Sequence, residues 1–178
     1  MKRTNEILFV LGPSGSGKSD FAKFLEKQNR WLRLEIDQFP KGDGIDINDL
    51  RQQWDLFYPA RNAIELAKEL RKRTDEAGRT RCVISFPSGL VLSPGHIAAA
   101  EEASIQVVYL YGSAAHCVNA FLERERISGR NLDFNHWLLN NRESYLAMSD
   151  PVFERYRVHV FDIDGHHRSH EDVLQDIR

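Results

Sequence analysis

Short apolar runs alternate along this chain with longer stretches of helical spacing. Ile7-Leu8-Phe9-Val10-Leu11 reads as a buried strand, and Asp20 to Lys27 then puts apolar residues at helical intervals. Trp31 to Asp37 alternates, with Leu32, Leu34 and Ile36 on one face, and predicts a second strand ending in carboxylates. Pro40, Gly42 and Gly44 open a loop, and Asp46 to Phe57 reads as a short helix or irregular chain. Its Trp54, Phe57 and Tyr58 either pack in the core or line a pocket. Arg61 to Ala77 predicts a helix with Ile64, Ala67, Leu70 and Arg71 inward and Gly78 as its stop. Arg81 to Phe86 is a third strand, closed by Pro87-Ser88-Gly89, and Ile97 to Ala103 is a short helix. Ile105 to Tyr111 is a fourth strand, and Ala114 to Ile127 a helix carrying Val118, Phe121 and Leu122. Ser128-Gly129-Arg130-Asn131 breaks that helix, and a second runs from His136 to Ala147. Arg157 to Asp162 is a fifth strand, and Glu171 to Arg178 a closing helix with Ser169 as N-cap.

Five strands alternating with helices predict an α/β three-layer sandwich with a five-stranded parallel sheet covered on both faces. No repeat, low-complexity tract or linker interrupts it, so residues 1–178 read as one domain. Ligands in such sheets bind at the carboxyl ends of the strands. The turn after the first strand, Asp37, Phe86 to Gly89 and Asp162 all fall there.

That first turn carries the most specific chemistry. Gly12-Pro13-Ser14-Gly15-Ser16-Gly17-Lys18-Ser19 fits G-x-x-x-x-G-K-[ST], between an apolar strand and a helix, as a phosphate-cradling loop requires. Glycines let the backbone turn its N–H groups inward, and the helix that follows adds its positive end. Lys18 is placed to reach the β- and γ-phosphates, and the Ser19 hydroxyl to ligate Mg²⁺. ATP and Mg²⁺ are the cofactors this implies.

Composition adds exclusions. A formal charge of −2 with 28% charged residues gives no global reason to expect nucleic acid or an anionic membrane. Cys82 and Cys117 lack a C-x-x-C partner and read as reduced packing residues. The first apolar run is too short for a signal peptide or a membrane span, so a cytoplasmic chain is expected, as monomer or homodimer. Asp164-Gly165-His166-His167-Arg168, near His159 and His170, reads as a surface turn rather than a metal centre.

With these residues in place, the chain resembles the small P-loop kinases of the shikimate kinase and gluconate kinase group, which share the nucleoside monophosphate kinase-like fold. Glu35-Ile36-Asp37 resembles their D-x-D at the end of the second strand. Val107-Val108-Tyr109-Leu110, followed by an Arg-rich helix, resembles the fourth strand and the helix feeding the lid, here around residues 124–136. The resemblance implies that Arg124 packs on adenine and that Arg126 or Arg130 meets the phosphates. It also implies that Gly12 to Asp20 bind nucleotide, and that the loop with Asp162 and Asp164 after the last strand cups the base. Phe86-Pro87-Ser88-Gly89 stands where shikimate kinases carry a Gly-Gly-Gly run. Ser149 replaces their arginine before the last strand, with Arg142 one or two turns upstream. Ser88, Gly89 and Arg142 are thus candidate acceptor contacts, and the acceptor is left open.

Phosphoryl transfer needs positioning and charge neutralisation more than covalent help. Lys18 with Arg126 or Arg130 would supply the charge, and a closing lid would exclude water. The arginines have a plainer role too, as a basic helix end complementing the dipole. Asp37 is the candidate acceptor of the substrate hydroxyl proton, or else a strand-end cap. Glu35 either holds a Mg²⁺-bound water or is a solvated strand residue. Arg61 either grips an acidic substrate or lies on a helix surface. Cys82-Val83-Ile84-Ser85 lacks the acid with which P-loop hydrolases hold Mg²⁺, which favours a kinase. The sequence therefore predicts an ATP-dependent kinase of a small metabolite. The alternatives are a nucleoside or nucleotide kinase, or a nucleotide-binding regulator without transferase activity.

Overall fold

A computed structural model describes residues 6–28, 30–36, 45–46 and 62–177. Asp37, Arg51, Trp54, Phe57, Tyr58 and Arg61 lie outside these residues, as do the loop expected at 40–44 and most of the short helix expected at 46–57. The five expected strands all form: β1 (Glu6–Leu11), β2 (Trp31–Glu35), β4 (Arg81–Ser85), β5 (Ile105–Tyr111) and β6 (Arg157–His159). A two-residue strand, β3 (Ile45–Asp46), joins them at one edge, giving the order β3-β2-β4-β1-β5-β6. β1 with β4, β2 with β4, β2 with β3, and β5 with β6 are all parallel. Parallel strands need crossover connections, and the helices supply them.

The chain divides into two compact units. The first comprises Met1–Val10, Ser19–Pro87 and Leu92–Val107. It holds most of β1 together with β2, β3, β4, α1 (Lys18–Lys27), α2 (Ala63–Glu76) and α3 (Pro94–Glu102). Ile7 to Leu11 and Cys82 to Ile84 are buried without alternation, as a parallel sheet covered on both faces demands. Phe9 and Phe86 meet edge to face at 4.9 Å. The buried stripe of α2 runs through Ala63, Leu66, Ala67, Leu70 and Thr74. This corrects the expected stripe: Ile64 is half exposed, because the helix is rotated to place Leu66 inward. Arg71 is partly buried and donates to the Ala103 carbonyl instead of packing. α3 begins three residues earlier than expected, since Ser93 caps it and Pro94 fits its first turn.

The second unit comprises Leu11–Lys18, Ser88–Val91 and Val108–Arg178. It contains the end of β5, β6, α4 (Ala114–Ile127), α5 (Phe134–Met148), a 3₁₀ turn (Pro151–Tyr156) and α6 (His170–Asp176). Cys117, Phe121 and Trp137 form its core, with Val118, Leu122, Leu132, Tyr145 and Phe161 packed around them. Side chains of Ser113, Asp133 and Ser169 cap α4, α5 and α6, each accepting from a backbone N–H three residues on. Asp133 starts α5 two residues earlier than expected. β6 stops at His159, short of the predicted Asp162, and Phe161 instead bridges His167 across a tight turn. Among the described residues, no helix is long and apolar enough to cross a membrane.

Candidate active site

The loop after β1 has the backbone its glycines predict. Gly12, Gly15 and Gly17 take φ of 148°, 90° and 81°, a region that L side chains rarely occupy. Space is equally decisive at Gly15, where an added Cβ would stand 2.0 Å from the Cys117 carbonyl oxygen of α4. The loop is thus held tight against the helix behind it. Its turn is closed from within by Ser16, whose amide and hydroxyl both donate to the Pro13 carbonyl.

Lys18 is only 8% exposed, so its ammonium must be compensated locally. Its Nζ donates to the Gly12 carbonyl at 2.7 Å, the Pro13 carbonyl at 2.9 Å and Ser88 Oγ at 3.3 Å. Ser88 Oγ also accepts from Ser14 Oγ at 2.9 Å. Ser88 is thereby brought into the loop's own network, while its neighbour Gly89 is exposed. Behind the loop, burial pushes the Cys117 thiol up to about 12, against a smaller opposing pull from Lys18. Cys117 is a packing residue at that value, as is Cys82, which burial raises to about 11.

Three hydrogen bonds tie the loop to distant parts of the chain without a sequence signal. From α5, Asn141 Oδ1 accepts the Ser14 N–H at 2.7 Å, and the Trp137 indole donates to the Ser14 carbonyl at 2.9 Å. Asn141 in turn donates to the Trp137 carbonyl, and Ser144 to the Ser88 carbonyl. α5 therefore grips both amide faces of Ser14. From the turn after β6, His167 Nε2 lies 3.0 Å from the Gly15 carbonyl oxygen. A carbonyl can only accept, so this bond places a proton on Nε2. The imidazole also packs at a tilt of 34° against Phe161, with ring centroids 4.4 Å apart.

Ser19 and Asp20 are exposed in the first turn of α1. Glu35 Oε1 is taken by Arg33, a 2%-exposed arginine that also pairs with Glu26, so Glu35 is not a merely solvated strand residue. Arg124 and Arg130 both bind Glu125, whereas Arg126 pairs with Glu123 on the exposed face of α4. Arg142 is exposed on α5. Asp162 and Asp164 are exposed, and Asp162 Oδ1 accepts from the amides of Asp164 and His166, shaping the turn that presents His167. The ligand atoms of Asp162, Asp164 and His166 lie within 4.8 Å of one another, and these hydrogen bonds account for the cluster as a turn.

No protein-family model matches the sequence, and a search of curated proteins finds no match. Solved structures do match by fold. The shikimate kinase from Acinetobacter baumannii, in complex with shikimate, aligns with a TM-score of 0.51 at 18% identity, over 98% of this chain and 92% of that one. A gluconokinase from Sinorhizobium meliloti aligns with a TM-score of 0.53 at 17% identity, over 99% and 91%. The chain thus shares the P-loop α/β fold of these two structures. Within that fold it is similar to the shikimate kinase and gluconokinase structures along nearly its whole length.

Proposed function

We propose that this chain is an ATP- and Mg²⁺-dependent kinase that transfers a phosphoryl group to the hydroxyl of a small metabolite. The observation that carries the reading is the loop itself: three glycines in left-handed backbone and a buried ammonium bonded to neutral oxygens. Such a loop fits a polyphosphate, because its glycines give the backbone the freedom to turn amides toward an anion and it holds a cation that is already desolvated. The fold shared with two kinases supports phosphoryl transfer over mere anion binding.

In this reading, Gly12 to Ser19 hold the phosphate tail and Lys18 offsets charge on the transferred group. Ser19 would offer a hard oxygen to Mg²⁺, which would offset charge on the phosphates. Asp37 accepts the proton of the attacking hydroxyl, with Ser88 and Arg61 among the acceptor contacts. Residues 124–136 close as a lid within one catalytic domain. The experiment is ADP release measured across sugars, polyol acids and nucleosides with ATP and Mg²⁺. Turnover with one acceptor class, abolished by Asp37→Asn, is expected. Clear ATP binding without turnover on any acceptor would contradict it.

A further inference from the structure

Glu125 is 1% exposed, although it lies in the last turn of α4 between exposed neighbours. A carboxylate held out of water needs compensation, and one guanidinium would neutralise it. Two converge on it instead. Arg124 donates to Oε1 from Nε at 2.9 Å and from Nη2 at 2.8 Å. Arg130 donates to Oε1 from Nη2 at 2.9 Å and sets its Nε 2.8 Å from Oε2. Oε1 is therefore crowded with donors, while Oε2 is ion-paired but has no aligned hydrogen bond.

One negative charge against two positive leaves the trio with a surplus of one. Both arginine side chains remain partly open to solvent, at 48% and 44% exposure. The trio also has a fixed place beside the phosphate loop. The Arg124 guanidinium lies over the Phe121 ring, 5.3 Å from its centroid. The Phe121 amide nitrogen in turn stands 3.1 Å from where a Cβ on Gly15 would be. The loop thus packs on the backbone of Phe121, whose ring carries Arg124, and Glu125 joins Arg124 to Arg130. Fixing a guanidinium pair in advance removes the entropy cost of ordering two long side chains around an anion.

We propose that Glu125 is a positioning residue that presents Arg124 and Arg130 as one preformed receptor for the β- and γ-phosphates of a bound nucleoside triphosphate. This rests on the nucleotide-binding reading above and adds to it a residue that touches neither substrate. The plain alternative is an ion pair that only stabilises the end of α4.

Glu125→Asp separates the two, since it keeps the charge but withdraws the carboxylate by one methylene. Calorimetric titration with ATP and AMP is expected to show the variant losing about tenfold in ATP affinity and less than twofold in AMP affinity, on the scale of one charge-assisted hydrogen bond. A variant with lowered thermal stability but an unchanged ratio of ATP to AMP affinity would overturn the proposal. Should Glu125→Asp not fold, the wild-type protein answers by NMR, with the arginine Nε–H signals assigned through Arg124→Lys and Arg130→Lys. Both signals moving on addition of ATP, and neither with AMP, supports the receptor; neither moving with ATP overturns it. Failure of the underlying reading looks different, because Lys18→Ala would then also leave ATP affinity intact.

Discussion

Asn141 Oδ1 accepts the Ser14 amide hydrogen at 2.7 Å, joining a helix to the phosphate loop across 127 positions of sequence. Asn141 is 1% exposed and spends its amide nitrogen on the Trp137 carbonyl. Its loss leaves both partners without their bond, at a cost of about 1–3 kcal/mol. Asn141→Ala is therefore expected to lower stability by that amount in urea denaturation and to weaken ATP binding in parallel. An unchanged midpoint would mean that α5 does not support the loop.

The glycines of the loop differ in what they tolerate. Alanine at Gly17 would meet His167 at an ordinary 3.5 Å and suffer mainly from its φ of 81°. That strain is on the order of 1–3 kcal/mol. Alanine at Gly15 would in addition stand 2.0 Å from a backbone oxygen of α4, which cannot move aside cheaply. Gly15→Ala should abolish ATP binding and depress the thermal midpoint well beyond Gly17→Ala. Equal effects would show that the packing of the loop on α4 is not what holds it.

Much of this was written in local pattern. Five strands and the loop announced themselves through apolar runs and a spaced motif, because burial on both faces and positive φ each demand particular residues. The start of α3 was also legible, in Ser93-Pro94, but the apolar periodicity drew attention to Ile97 instead. Trp137 reads as a core residue and is one, but the bonds of Asn141, Trp137 and His167 to the loop were not legible. Each reaches the loop across more than 120 positions, and nothing in their neighbours marks an asparagine that caps a distant amide. Arg124, Arg126 and Arg130 have different roles only by resemblance, since nothing in their own neighbours tells the three apart. Only the burial of Glu125 separates Arg124 and Arg130 from Arg126.

The two thiols give a pH dependence. Burial raises Cys82 to about 11 and Cys117 to about 12, from an ordinary value of 9.0. The folded state therefore favours the protonated thiols, and their contribution is fully present below pH 9. Above pH 9 the unfolded chain ionises first, so stability falls toward pH 11–12, by about 1.4 kcal/mol per unit for each thiol. Denaturation midpoints should drop between pH 9 and 10.5, less steeply in Cys117→Ala. Below pH 8.5 neither thiol should react with iodoacetamide until denaturant is added.

Among the described residues Arg33 is the largest fully buried side chain, and it holds Glu26 and Glu35 together. Arg33→Ala removes packing and leaves Glu35, only 15% exposed, without that partner. Breaking such a pair costs about 3–5 kcal/mol. A much smaller loss in chemical denaturation would show that the pair is already solvated. Arg33→Ala with Glu35→Gln should recover part of the loss.

The most direct measurement is calorimetric ATP binding by Lys18→Met, which keeps the length of the side chain and removes its charge. If the loop grips a polyphosphate through its amides and this ammonium, affinity should fall by about 10- to 100-fold, the worth of one or more charge-assisted hydrogen bonds. Circular dichroism should stay that of the parent chain. A folded variant that binds ATP as tightly as the parent would contradict the account.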